Sequence, residues 1–146
     1  MKESVGRLVA ILHRQAQIYM NHSLQPHDIT ASEYPFLMYL SRHDGAIQEE
    51  ISVYLYIDKA ATTRCIRSLE KKGFLVRHKD SGDRRCNRVF LTPRGKELEP
   101  VLRQAAGRFN DFLLESLPDE DQDRLITYLK DMVDLVDRSR LKEVLK

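Results

Sequence analysis

Apolar residues recur at helical spacing from about Ser4 to Asn21, where Val5, Leu8, Val9, Leu12, Ala16 and Tyr19 fall on one side. Gln25-Pro26-His27-Asp28 breaks that pattern. A second helix follows through Tyr34, Leu37, Met38 and Leu40, with Thr30 or Ser32 as its cap and Asp44-Gly45 as its end. Pro35 is tolerable there because it falls in the first turn. Ala46-Ile47 reads as a short strand, and Gln48 to Tyr54 as a short third helix with Ile51 and Leu55 inward. Asp58 is a good N-cap for a fourth helix, whose inward stripe is Thr62, Cys65, Ile66 and Leu69. Lys59, Thr63, Arg64 and Arg67 occupy its other faces. Lys71 and Lys72 suit the negative end of the helix dipole, and Gly73 can take the left-handed conformation that closes the helix.

Beyond Gly73 the period changes from helical to two: Phe74, Val76 and His78 alternate with Leu75, Arg77 and Lys79. Asp80-Ser81-Gly82-Asp83 is turn chemistry, and Arg88 to Leu91 supplies the return strand, so the hairpin points Arg84 and Arg85 outward near its tip. Thr92 then caps and Pro93 opens a long helix lined by Leu98, Val101, Leu102, Ala105, Phe109, Phe112 and Leu113. After Leu117-Pro118, three acids load the first turn of a last helix carrying Leu125, Leu129, Met132 and Val136. The expected fold class is mainly α with a small β-hairpin. Two short helices joined by a tight turn, the second of them basic, is helix-turn-helix organisation.

Charge gives this arrangement a purpose. Between Lys59 and Arg94 there are eleven Lys or Arg against three acids, a net of +8, while the whole chain carries only +2, so the rest sums to −6. Such asymmetry is the footprint of a polyanion partner, and a helix plus a hairpin fits duplex grooves. The alternative is a solvated basic surface that needs no partner. At 146 residues, 42% apolar and 32% charged, the chain reads as one ordinary domain with a sizeable core. It lacks a signal-peptide h-region and any apolar run long enough for a bilayer, so no membrane partner is expected and cytoplasmic is the default location.

The stretch DKAATTRCIRSLEKKGFLVRHKDSGDRRCNRVFLTPRG, from Asp58 to Gly95, resembles the recognition helix and wing of the multiple-antibiotic-resistance regulator (MarR) family of bacterial transcription factors. The likeness rests on the order and spacing of Asp58-Lys59, Thr63-Arg64, Leu69-Glu70, Gly73, Asp83-Arg84-Arg85 and Leu91-Thr92-Pro93-Arg94-Gly95. It implies a winged helix-turn-helix over residues 30–92, with residues 1–29 and 93–146 forming a helical dimerisation region. The implied function is sequence-specific binding of double-stranded DNA by a homodimer, as a ligand-responsive repressor on a pseudo-palindromic operator. Lys59, Ala60, Ala61, Thr63, Arg64 and Arg67 become candidates for base or phosphate contact. Arg64 is the first choice for a base because its planar fork suits guanine. By the same likeness Arg85 enters the minor groove with Asp83 bracing it, and Arg84 meets phosphate or exchanges roles with Arg85.

The family also implies a small-molecule effector pocket between the dimer helices and the winged helix. Tyr19, Tyr34, Tyr39, Tyr54 and His13 are candidates to line it, since amphipathic rings suit aromatic acids or phenols, and each is equally a plain core residue. Cys65 sits on an inward stripe and reads as a buried, inert thiol. Cys86 stands beside Arg84, Arg85 and Arg88, where positive neighbours could lower its pKa, which makes it a candidate redox site. Some relatives sense oxidants through a cysteine in the first helix, and this first helix has none. The five histidines form no close-spaced ligand motif and there is no Cys-x-x-Cys, so neither metal nor cofactor is expected. No nucleophile motif or phosphate-cradling loop points to an enzyme. Two alternatives remain: a redox-responsive repressor of the same fold, and a winged helix that mainly binds protein. Paired arginines at a hairpin tip argue against the second.

Overall fold

The computed structural model describes residues 2–137 and Glu143. Its elements are α1 (Val5–Leu24), a 3-10 turn (Gln25–His27), α2 (Tyr34–Arg42), β1 (Ala46–Ile47), α3 (Gln48–Leu55), α4 (Lys59–Lys71), β2 (Leu75–Lys79), β3 (Asn87–Leu91), α5 (Pro93–Leu114) and α6 (Asp119–Leu135). The expected mainly helical chain with a small hairpin is therefore present, joined by β1 into a three-stranded antiparallel sheet of order β1-β3-β2. Leu75 pairs with Leu91 and Lys79 with Asn87, which sets the hairpin register.

Two compact units can be described, one through Phe109 and one from Asn110 onward. The first holds the core. Phe36, Leu37 and Leu40 of α2, Ile51 of α3, Ile66 and Leu69 of α4, and Leu75 and Val89 of the sheet are almost fully enclosed, together with Leu24 and Leu102. Helical and strand periods thus converge on one apolar centre. In the second unit Gln122 closes the turn before α6, its side-chain amide donating to the carbonyls of Leu114 (3.0 Å) and Leu117 (2.9 Å). Among the described residues no helix is long and apolar enough to cross a membrane.

Several local expectations change. The first helix runs on past Asn21 to Leu24, because Leu24 is fully buried and extends the apolar stripe. Its cap is Ser4, whose hydroxyl accepts the Arg7 N–H at 3.2 Å. Thr30 caps the turn ahead of α2 rather than α2 itself: Thr30 Oγ1 accepts the Glu33 N–H (3.2 Å) while Glu33 Oε1 accepts the Thr30 N–H (3.0 Å). That reciprocal pair is a capping box. The second helix stops at Arg42, and Asp44 and Gly45 serve the sheet instead. Asp44 Oδ1 accepts the Leu91 N–H at 2.8 Å, and Gly45, at a φ of +83°, donates to Val89 O at 2.8 Å. On β2 the enclosed face is Leu75 with half-buried Arg77, and Val76 is exposed. Phe74 is buried just ahead of the strand.

Candidate nucleic-acid interface

Helix α4 begins at Asp58, whose carboxylate accepts the Ala61 N–H at 2.8 Å as the sequence predicts. Around its axis the side chains sort into four strips. Thr62, Ile66 and Leu69 face the core. Ala60, Arg64, Arg67 and Lys71, spaced by four, three and four residues, form the exposed outer strip. Between these lie two flanks, each pinned by polar contacts to a neighbouring element.

On one flank, Gln48 of α3 donates its amide to Thr63 Oγ1 (2.8 Å), and Thr63 in turn donates to Lys59 O (2.9 Å). One turn further, Ser52 Oγ donates to the buried Thr62 hydroxyl at 2.8 Å. Glu70 on the same side receives the Arg77 guanidinium of β2 through two bonds of 3.0 and 3.2 Å. On the other flank, Lys72 Nζ donates to Glu33 Oε1 and to Asp28 O, both at 2.8 Å, and Ser68 Oγ donates to Glu33 Oε2 at 2.7 Å. Glu33 is buried and charged. Burial pushes its carboxyl up, but the hydrogen bonds from Lys72, Ser68 and Thr30 outweigh that and hold it below the ordinary value.

These contacts divide the basic residues by availability. Lys72 pairs with Glu33, Arg77 with Glu70, and Arg88 with Asp80 and Gly45 O, while Arg94 donates to Lys72 O and lies over the Phe74 ring at 4.9 Å. Among the described residues Arg64, Arg67, Lys71, Lys79 and Arg84 are exposed and engage no carboxylate. The net +8 therefore resolves into internal braces and an exposed set on the outer strip of α4, at its first residue Lys59, and on the hairpin.

The hairpin tip is ordered by its own acids. Asp80 Oδ2 accepts the N–H groups of Gly82 (3.2 Å) and Asp83 (2.9 Å), and Asp80 is paired to Arg88. Asp83 accepts from the Arg85 backbone N–H (3.0 Å), Nε (3.1 Å) and Nη2 (3.2 Å). The Arg85 side chain nonetheless stays 91% exposed, so Asp83 sets its direction without covering it. The Arg88 hydrogen bond holds the Asp80 carboxyl below its usual range, and the Arg85 side chain does the same for Asp83.

The remaining candidates separate. Tyr34, Tyr39 and Tyr54 line one cavity of about 360 Å³ together with Met38, Arg42 and His43. Tyr39 stacks on His43 at 4.4 Å and meets Tyr54 at 4.7 Å. Tyr19 is elsewhere, stacked on Phe109 at 5.0 Å, and His13 is exposed on α1, so neither joins that cavity. Cys65 is half-buried rather than enclosed, with Sγ 3.8 Å from Ser32 O, and burial pushes its thiol up. At Cys86 the arginines are not the dominant neighbours: loss of hydration and the adjoining Asp83 carboxylate push its thiol up, and Arg85 offsets this only in part. Lys71, read as a helix-end charge, belongs to the same strip as Arg64, a placement its spacing of seven residues could have shown. The Glu33–Lys72 tie escaped sequence reasoning, although Thr30-Ala31-Ser32-Glu33 carried the capping-box signature.

A basic recognition helix braced beneath by a helix-turn-helix partner and flanked by an arginine-tipped hairpin defines a winged helix-turn-helix protein. The MarR family model matches residues 29–87. A MarR transcriptional regulator from Methanosarcina mazei Go1 is 39% identical, with 91% of this chain and 96% of that one covered at a TM-score of 0.85. The chain belongs to the MarR family of transcriptional regulators. The HTH-type transcriptional regulator YybA of Bacillus subtilis (strain 168) is 24% identical over 84% of this chain and 82% of its own length. The fold is also shared, at a TM-score of 0.90 and 20% identity over 96% and 93% of the two chains, with a MarR family regulator from Listeria monocytogenes solved in complex with 26mer DNA.

Proposed function

We propose that this regulator is a homodimeric, ligand-responsive repressor that binds a pseudo-palindromic duplex, with α4 in the major groove and the β2–β3 wing on the adjacent minor groove. The observation that carries the reading is the outer strip of α4, where Arg64, Arg67 and Lys71 stand in line with no carboxylate among the described residues to neutralise them. A Listeria protein of the same fold holds DNA, which supports the mode. Arg64, mid-strip, presents a planar fork suited to guanine, and Lys71 and Arg84 supply phosphate contacts. Ala60 opens the strip and Ala61 borders it, offering apolar contact to thymine methyl groups, while Lys59 beside them offers a charge to phosphate. Thr63 offers its methyl more than its hydroxyl, which Gln48 and Lys59 O already occupy.

Dimerisation accounts for apolar surface that each element leaves open. On α1, Val5, Leu8, Val9 and Leu12 are exposed at helical spacing, and on α6 so are Ile126, Leu129, Met132 and Val133. A two-fold dimer places two recognition helices one turn of DNA apart. The cavity at Tyr34, Tyr39 and Tyr54 has the size and aromatic lining of a site for a small aromatic or phenolic effector. An effector that binds better when the recognition helices are wrongly spaced lowers DNA affinity by its differential binding.

Selection of random-sequence duplex DNA by the full chain, repeated at several salt concentrations, tests this reading. Recovery of an inverted repeat whose affinity falls steeply with salt is the expected outcome. Weak, sequence-independent binding insensitive to Arg64→Ala and Arg85→Ala would overturn it in favour of a protein partner.

A further inference from the structure

We propose that Glu33 is a positioning residue for DNA reading: through Lys72 and Ser68 it fixes the orientation in which α4 presents Arg64 and Arg67. The inference rests on the regulator reading above and adds to it a residue that touches no DNA.

The geometry is specific. Cys65, Ser68 and Lys72 lie three and four residues apart on one flank of α4, and all three meet the segment between the 3-10 turn and α2. Glu33 is the centre of that meeting, with one oxygen on Lys72 and the Thr30 N–H and the other on Ser68. The opposite flank is held independently by Gln48 and Arg77. With both flanks pinned, α4 cannot roll about its axis, and Ser68 and Lys72 sit directly beside the strip that carries Arg64, Arg67 and Lys71. Removing Glu33 takes away the Ser68 bond and one of the two Lys72 bonds, leaving that flank tied only by Lys72 to Asp28 O and by the longer Cys65 contact with Ser32 O. The Glu33 side chain is 5% exposed and that of Lys72 22% exposed, so the pair lies beneath the DNA-facing surface rather than on it. Buried ion pairs contribute little stability relative to apolar replacements, whereas their hydrogen bonds impose a single geometry.

Simple electrostatics and positioning predict opposite signs, which makes the idea testable. Replacing a carboxylate near the DNA face by a neutral amide raises the protein's positive charge and by itself tightens binding to a polyanion. Positioning predicts that Glu33→Gln weakens binding to the selected duplex. For Lys72 the contrast lies in salt dependence: loss of a phosphate contact lowers the salt slope by about one, whereas loss of a brace leaves it unchanged.

The experiment measures affinity of the full chain for its selected duplex and for a scrambled duplex across a salt series, for wild type, Glu33→Gln, Lys72→Met, Ser68→Ala and Arg64→Ala, with circular dichroism to confirm folding. The expected result is that Glu33→Gln and Lys72→Met each lose roughly tenfold on the selected duplex, within the range by which residues remote from a ligand modulate binding. Their scrambled-duplex affinity and salt slope stay at the wild-type values, and Ser68→Ala follows in the same direction should either charged variant fail to fold. Unchanged or tighter selected binding by Glu33→Gln, or a reduced salt slope for Lys72→Met, overturns the proposal. If Arg64→Ala relaxes specificity while Glu33→Gln does not, only the positioning role fails. If wild type selects no duplex, the regulator reading fails and the positioning role with it.

Discussion

The Gly95 Cα rests against the Phe74 carbonyl so closely that a methyl group added there would run into that oxygen and crowd the Leu91 side chain. The contact exists because α5 starts where the sheet ends: Thr92 donates its backbone N–H to Phe74 O at 3.1 Å, and its hydroxyl both donates to Gly73 O (2.7 Å) and accepts the Gly95 N–H (3.2 Å). Gly95→Ala is expected to cost about 3 kcal/mol, at the upper end of overpacking penalties, because the obstacle is backbone and cannot rotate away. Urea unfolding of the purified variant measures it, and a loss below about 1 kcal/mol would mean that the helix start shifts freely.

Arg64 and Lys71 share the outer strip of α4 but should differ in effect. Arg64→Ala is expected to lose about 1–3 kcal/mol on the selected duplex and to relax specificity at one position. Lys71→Ala should weaken all duplexes alike and reduce the salt slope by about one. Fluorescence anisotropy on selected and scrambled duplexes, over a salt series, separates the two.

Acid should loosen the Glu33 brace. Its folded-state carboxyl lies below the ordinary value, so the network's contribution is complete above the unfolded pKa and disappears as pH falls through the folded one. The stability gap between wild type and Glu33→Gln is expected to be largest near neutrality and to close as pH falls below the ordinary carboxylate range. Denaturant midpoints at several pH values provide the check, and a gap independent of pH would show that Glu33 stabilises by shape alone.

Cys86 should be a slow nucleophile. With its thiol pushed up beside Asp83, little thiolate is present at neutral pH, and alkylation should accelerate only as pH rises above the free-cysteine value of about 8.5. Asp83→Asn is expected to speed iodoacetamide labelling of Cys86 in a Cys65→Ser background. Rapid labelling of the Asp83-containing protein at pH 7 would restore Cys86 as a redox candidate.

A charge placed on an open apolar strip should break the proposed dimer. Leu12→Glu on α1 or Leu129→Glu on α6 is expected to give monomers that keep the wild-type circular dichroism spectrum and lose affinity for a two-half-site duplex, because each half-site alone binds weakly. Sedimentation equilibrium reads the mass directly. A dimer persisting through both substitutions would place the interface elsewhere.

What could be read from residues alone was whatever depends on neighbours in sequence. The Asp58 cap, the inward placement of Thr62, Ile66 and Leu69, the turn at Asp80-Ser81-Gly82-Asp83 and the outward Arg84 and Arg85 all follow from local period and turn chemistry. Pairings between distant residues were not readable. Nothing near Lys72 indicates that Glu33, 39 positions away, neutralises it, and nothing near Asp44 says that its carboxylate continues the sheet at Leu91. The inner face of β2 was ambiguous for a related reason: Arg77 can turn inward because Glu70 meets it, a condition the strand's own alternation does not encode. Cys86 shows the same limit in its chemistry, since three nearby arginines outnumber the acids in sequence but Asp83 is the group that touches it.

Thr92 ties the far end of the hairpin to Gly73 and Phe74, the residues that lead from α4 into the hairpin's near end, so helix and wing share one root. That shared root fixes the offset between the exposed strip of α4 and the arginine-bearing tip of the wing. On the proposed reading, substitutions along the outer strip of α4 change what is read without disturbing that offset.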